Sequence, residues 1–194
     1  AIVIPINKST DKFNYNDYRP ISILTIFNKI IEKLLYTRIM KFMNDYTKTL
    51  YSRQYGFRQK SNTETAAMEM IQYIRKAIDD NKYVSAVAMK LKKCFDIIDI
   101  ELLLMALENA GLRGNILNIL KSYLTERKQV VRIGNTLSSV MTYTRGVVQG
   151  GTLGSLLFII FINYISQLDT KGIIMVYADD VILLNVHEKN EDIE

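Results

Sequence analysis

One cysteine, one histidine and two prolines are all that this 194-residue sequence holds of those three residue types. The lone thiol, Cys94, excludes an internal disulfide framework and any cysteine-based zinc site. Its place in an apolar run marks it as core. His187 alone builds neither a catalytic triad nor a histidine metal cluster, and its polar surroundings read as a solvated tail. No apolar run exceeds the stretch from Leu156 to Ile162, far short of the roughly 20 residues that span a bilayer. The opening Ala1-Ile-Val-Ile-Pro5 has no basic segment or cleavage site of a secretory signal. No targeting signal is visible, so the expected location is intracellular, in nucleus or cytoplasm, without a membrane. A start inside an apolar segment without Met, and a stop in a polar tail, predict a piece of a longer polypeptide.

What is present is ordinary for a globular chain: 48% hydrophobic and 23% charged residues, enough to bury a core as one large or two small domains. Lys and Arg number 25 against 20 acidic residues, for a net charge of +5 and a pI near 9.1. That surplus is compatible with a nucleic-acid partner and equally with solubility alone. Neither repeats nor low-complexity segments occur.

The pattern along the chain predicts a mixture of helices and hairpins rather than regular βαβ alternation. Ile2 to Ile6 reads as a strand with Pro5 at an edge or bulge. A polar, mobile loop carrying Lys8 and Lys12 follows. Then comes a helix capped by Ser22 and running toward Phe42, with Ile23, Phe27, Ile30, Ile31, Leu34 and Leu35 at helical spacing and Lys29, Lys33 and Lys41 on other faces. Ser61-Asn-Thr-Glu64 predicts a capping box, opening a helix whose stripe is Ala67, Met70, Ile71, Ile74 and Ile78. Tyr83 to Leu91 is a strand. Asp99 caps a helix closed by Gly111, and Asn115 to Leu124 forms another. Gly134-Asn135 turns a hairpin between Lys128 to Ile133 and Thr136 to Tyr143. Gly146 to Gly151 opens onto a buried helix from Thr152 to about Ile165. Two strands, Ile173 to Tyr177 and Val181 to Val186, enclose Asp179-Asp180.

Two adjacent acids at a hairpin tip between apolar strands are costly unless a cation neutralises them. A pair of Mg²⁺ ions roughly 3.5–4 Å apart, held by carboxylates, activates a 3′-hydroxyl and stabilises a leaving pyrophosphate; the plainer reading is an exposed turn, where Asp is common. The Gly146 to Gly151 loop, with its Gln149 amide, suits close approach to a base or sugar, or is an ordinary turn. Arg19, before Pro20, is a candidate for a triphosphate through its planar fork, or is a surface cation. Lys121, Arg127, Lys128 and Arg132 form either a nucleic-acid backbone strip or one solvated face.

The order of these signals resolves the alternatives. Tyr18-Arg-Pro-Ile-Ser22, Gln54-Tyr-Gly-Phe-Arg58, Cys94-Phe-Asp96 with Asp99, Leu112-Arg-Gly114, Lys121-Ser-Tyr-Leu124, Arg127-Lys-Gln129, Gly146-Val-Val-Gln-Gly150, Leu153-Gly154 and Tyr177-Ala-Asp-Asp180 resemble, block by block, the reverse transcriptases of non-LTR (LINE-type, Jockey-like) retrotransposons. The resemblance covers essentially the whole chain. It implies an α+β right-hand polymerase with fingers over residues 1–82 and palm over 83–194. The palm's antiparallel sheet is backed by helices, with a mid-segment return toward the fingers and no thumb after the Asp-Asp hairpin. It also implies RNA-directed DNA synthesis from a DNA primer on an RNA template with dNTPs, two Mg²⁺ (or Mn²⁺) ions, and a surrounding polyprotein with a thumb and the endonuclease that such elements commonly carry upstream. By the same resemblance Asp179 and Asp180 are catalytic metal ligands, Phe95 is the gate against a 2′-hydroxyl, Gln149 and Gly150 line the nascent base pair, and Arg19 and Lys8 meet the triphosphate.

The family carries a third metal-binding aspartate five residues before the gate Phe, and that position here is Lys90. Asp96 and Asp99 are not obvious substitutes. The family's loop Pro and Ser are Val148 and Gly151 here, its Pro after Leu-Gly is Ser155, and Asn163-Tyr164 replaces its Asn-Asp. These departures predict a copy with weak or absent polymerase activity. The competing expectations are a non-catalytic, nucleic-acid-binding remnant and a plain structural domain.

Overall fold

A computed structural model describes residues 1–188, which divide into two compact units, each assembled from two separate stretches of chain. The expected boundary between residues 82 and 83 falls inside the second unit. The physical reason is pairing: the strand that starts at Tyr83 is tied to a strand that ends at His187, and the helix before it packs on the same sheet.

The first unit comprises residues 1–49 and 93–161. Its sheet runs in the order β2 (Tyr18–Ile23), β1 (Ile2–Asn7), β4 (Arg127–Ile133), β5 (Thr136–Leu137), and β6 (Met141–Tyr143) pairs with the start of β4. β1 and β2 are antiparallel from Ile2–Ile23 to Asn7–Tyr18. β4 runs parallel to β1 only at Ile2 and Val3, so Pro5 lies past that pairing, where its missing N–H costs nothing. The loop between β1 and β2 is tied internally, with Ser9 Oγ donating to Asp17 Oδ2 at 3.0 Å and Asn7 Nδ2 to the Asp11 carbonyl at 3.1 Å.

Ser22 is not a helix cap. It lies in β2, and helix α1 (Ile26–Phe42) is capped by Thr25, whose Oγ1 accepts from the Asn28 amide at 3.3 Å. The sheet wins because Ser22 is already committed, facing Val3 across the ladder and donating its own N–H to the Gln149 carbonyl at 2.9 Å. The apolar stripe on α1 is also not its buried face. Ile26, Phe27, Ile30, Ile31 and Leu34 are exposed, and the buried residues are Glu32, Ile39 and Met40. Helix α3 is a single turn (Cys94–Ile97). Asp99 caps α4 (Ile100–Asn109) by accepting from the Glu101 and Leu102 amides. Helix α5 (Asn115–Leu124) has the expected bounds, and α6 (Thr152–Ile162) is apolar on every side. Leu103, Leu107, Leu120, Leu153, Leu156 and Leu157 are completely buried; each contributes about 1.5–3 kcal/mol of burial against the extended chain.

The second unit comprises residues 50–92 and 162–194, described to 188. Its antiparallel sheet has β8 (Asp180–His187) between β3 (Tyr83–Lys90) and β7 (Ile173–Tyr177). Helix α2 (Thr63–Asp79) has its capping box one residue later than predicted, with Asn62 accepting from the Thr65 amide and Thr65 answering through its hydroxyl. From α2, Ala66, Met70 and Tyr73 pack against Tyr55, Met175 and Leu184. Ile174, Val176 and Val181 form a second cluster with Tyr51, Leu91 and Ile165. His187 is not in a solvated tail. It ends β8, with its Nε2 2.8 Å from Ser85 Oγ.

A polar group locks α2 to the segment before it. Glu69 accepts from Arg53 Nε at 2.8 Å and from the Tyr55 hydroxyl. The Tyr55 hydrogen bond, joined by Arg53, holds the Glu69 carboxyl below its ordinary value of 4.5 against the opposing effect of burial. A carboxylate with a lowered folded-state value contributes stability above the unfolded value and loses it as pH falls through the folded one. Glu69→Gln is therefore expected to melt several degrees below the native chain at about pH 7, and the two melting curves should converge as falling pH protonates the carboxyl below its ordinary value. A difference that persists unchanged in acid would assign the effect to packing instead.

Candidate functional site

Tyr177-Ala-Asp-Asp180 forms the turn between β7 and β8, and the backbone explains its shape. Ala178 adopts φ +54°, a left-handed value uncommon for a residue with a Cβ. The turn is supported from beneath by Gln54-Tyr-Gly56. Tyr55 N donates to the Val176 carbonyl at 2.8 Å, and Val176 N donates to the Arg53 carbonyl at 2.9 Å. Gln54 is buried, and its Oε1 accepts from the Gly56 amide at 3.0 Å. Gly56 has no room for a side chain: a Cβ there would run into the Ala178 amide and stand 3.0 Å from its Cα. The Gln54 to Arg58 block is thus the buttress of the Asp-Asp turn.

Lys90 ends β3 directly opposite Asp180. Its ammonium bridges both acids, 2.7 Å from Asp180 Oδ1 and 3.0 Å from Asp179 Oδ2. The Asp180 hydrogen bond first, and the Asp179 one second, hold the Lys90 ammonium above its ordinary pKa. Lys90, where the resemblance implies a third carboxylate, therefore lies against the acidic pair with the opposite charge. Among the described residues no group of three or more His, Cys, Asp or Glu is disposed to hold a metal ion. Asp96 and Asp99 are committed elsewhere, one to Gln149 and the other to the α4 cap. Two carboxylates already bridged by an ammonium do not fit a two-metal centre.

The other expected site residues lie in the first unit. Phe95 on α3 stacks on Phe158, centroids 4.4 Å apart, which fixes its ring from one side. Its carbonyl accepts from the Val147 amide at 2.7 Å, and Gly146 N donates to the Ile98 carbonyl at 2.7 Å. The Gly-rich loop is thus stitched to α3. Gln149 Nε2 donates to Asp96 Oδ1 at 2.6 Å, and both line a cavity of about 230 Å³ with Pro20, Ser22, Gln129 and Tyr143. Burial raises the Asp96 carboxyl, opposed by the Gln149 hydrogen bond and by the charges of Lys93 and Lys8. Burial, then Asp96, pushes the Tyr143 phenol up to about 12. Sequence reasoning weighed Asp96 only as a substitute ligand and missed this pairing. The signal available was its place directly after Phe95, the expected gate.

Arg19 and Lys8 are both exposed, Arg19 on β2 and Lys8 just past β1. The four basic residues are divided between α5 and β4. Arg127 and Lys128 alternate on β4, and the Arg127 guanidinium sits over the Tyr123 ring at 4.6 Å while donating to the Tyr123 carbonyl. Lys121 is exposed on α5, and only Lys128 and Arg132 share strand parity.

Comparisons place this architecture. Telomerase from Candida tropicalis, solved in complex with the TWJ fragment of telomeric RNA, superposes with a TM-score of 0.60 over 86% of this chain and 29% of the other, at 10% identity. Telomerase from Candida albicans, also solved with a TWJ fragment, gives 0.59 over 84% and 31%, at 15% identity. The fold is therefore that of polymerase fingers and palm. The family model described as reverse transcriptase (RNA-dependent DNA polymerase) matches residues 6–193, and the chain belongs to that family. Among its relatives are the probable RNA-directed DNA polymerase from transposon BS of Drosophila melanogaster, 32% identical over 86% of this chain and 19% of the relative. Another is the RNA-directed DNA polymerase from mobile element jockey of the same species, 26% identical over 95% and 21%. The chain spans about a fifth of the length of these curated relatives. The family works on nucleic-acid templates and depends in general on divalent metal ions.

Because Gly56 underlies the turn, Gly56→Ala is expected to cost about 1–3 kcal/mol by overpacking and to lower the melting temperature, whereas Gly134→Ala, whose Cβ would meet nothing within 4 Å and which carries only the backbone strain of φ +58°, should be milder. Equal losses from the two would remove the buttress.

Proposed function

We propose that this chain is the polymerase domain of a transposable-element protein, built to extend a DNA primer on an RNA template with dNTPs, and that in this copy nucleotidyl transfer is weak or absent. The observation that carries the second half is the Lys90 ammonium bridging Asp179 and Asp180. In the family reading Asp179, Asp180 and a third carboxylate would hold two Mg²⁺ or Mn²⁺ ions, which would supply charge neutralisation at a reacting phosphate. A tethered cation neutralises the acids without offering open coordination positions. It stabilises the turn while competing with the metal for the same oxygens.

The rest of the reading is carried by residues that are intact. Phe95 is held face-on by Phe158, as a sugar gate requires, and Gln149 is oriented by Asp96. Lys8 and Arg19 are exposed for a triphosphate, and the exposed Lys121 and Lys128, with the half-buried Arg132, for phosphates along a duplex. A non-catalytic binding remnant is the second reading, and the same ion pair favours it.

Primer extension on an RNA template with Mg²⁺ separates the two halves. The unaltered chain is expected to give little product, and Lys90→Asp to raise synthesis on the order of 10²-fold, the scale of one charge-stabilising group at a reacting centre. Mn²⁺ binding followed by electron paramagnetic resonance should tighten in Lys90→Asp and weaken again when Asp179→Asn is added. Robust synthesis by the unaltered chain overturns the impairment. Primer–template binding that is absent at low salt, in both proteins, overturns the polymerase reading itself.

A further inference from the structure

Glu32 is the one charged side chain buried among the described residues, 1% exposed on α1. A carboxylate in that position is costly unless its oxygens are paired, and both are. Oε1 accepts from the Tyr123 hydroxyl of α5 at 2.5 Å, and Oε2 accepts from the Leu153 amide in the first turn of α6 at 3.3 Å. The second contact also sets a negative charge at a helix N-terminus, the favourable end of its dipole. Burial, and then the Glu32 hydrogen bond, pushes the Tyr123 phenol upward, so it stays a donor. Gly151 abuts the carboxylate so closely that a Cβ would meet both oxygens.

Two residues earlier the same segment of chain is gripped again. The Ser22 amide holds the Gln149 carbonyl at 2.9 Å, and a Cβ on Gly150 would stand 3.1 Å from the Ser22 carbonyl. The β2–α1 segment therefore holds the loop at Gln149 and Gly150 through Ser22, and again just past them through Glu32 at Gly151 and Leu153. The Glu32 contact limits how far the backbone that carries the Gln149 amide can shift.

We infer that Glu32 is a positioning residue: its carboxylate, braced by Tyr123, fixes the start of α6 and so orients Gln149 against Asp96 at the cavity they share. That this cavity receives a nucleotide rests on the function proposed above; the positioning itself does not.

The test reads Gln149 directly. Its side-chain NH₂ pair in the ¹⁵N–¹H spectrum of the full chain is identified by its loss in Gln149→Ala, and dATP affinity is measured alongside. Glu32→Leu keeps the volume and removes both acceptors. It is expected to move the Gln149 amide pair toward the free-amide position and weaken dATP binding about tenfold, the equivalent of one lost hydrogen-bonded contact. Glu32→Gln can still accept from Leu153 and should restore most of both. Tyr123→Phe, a gentler change that keeps the charge, should move the resonance in the same direction and serves if Glu32→Leu fails to fold. An unmoved Gln149 resonance in the folded variants, whatever happens to the melting temperature, makes Glu32 a core residue only and overturns the inference. A resonance that moves in a chain that never binds dATP upholds the positioning role and removes the nucleotide from the cavity.

Discussion

Lys90 faces Asp180 because Tyr83 faces His187: the antiparallel pairing of β3 with β8 runs unbroken through eight residue pairs, and a side-chain period of two carries the register from one end to the other. The register is fixed by apolar residues. Leu184, fully buried, joins Met175 and Tyr55 on the side covered by α2, while Val181 and Leu183 face the opposite cluster. Sliding β3 by one residue would exchange its two faces, and sliding β8 would turn Leu184 out. The ion pair at the sheet end is exposed, and exposed ion pairs contribute little to folding. It is a consequence of the register, so a substitution at residue 90 alters the charge at the turn without altering the apolar contacts that hold the strand.

The first unit solves a different problem. A Gly-rich loop has little preference of its own, so its position is imposed by neighbours: Ile98 and Phe95 carbonyls at Gly146 and Val147, Ser22 at Gln149, and Glu32 at the start of α6. Most of these contacts end on backbone atoms, which binds them to the fold more than to particular side chains. Gln149, Asp96 and Glu32 are the exceptions. Glu32 is buried, Gln149 and Asp96 are half-buried and paired with each other, and an unpaired member would cost more than a pair gains.

Much of the local structure was legible in the residues. The caps at Asp99 and near Asn62, the α5 bounds, the turn at Gly134 and the strands around Asp179-Asp180 follow from periodicity and capping chemistry. Ser22 is a good cap by type but was claimed by a strand partner and a loop carbonyl, the stripe on α1 has helical spacing yet faces outward, and His187 was tied into the sheet by Ser85. For Ser22 and His187 a contact distant in sequence outweighed a local preference, and on α1 the side that carries the buried Glu32, Ile39 and Met40 is the one turned inward.

The sequence by itself determined the family, the order of its blocks and the charge reversal at residue 90, because those are matters of residue identity and spacing. Only the tertiary structure decided that the Lys90 ammonium reaches both acids, that Gly56 underlies their turn, and that Glu32 is buried against the start of α6. Those facts depend on strand register and on which helix face turns inward. Both are set by the sum of many apolar contacts, with no short stretch of chain specifying them.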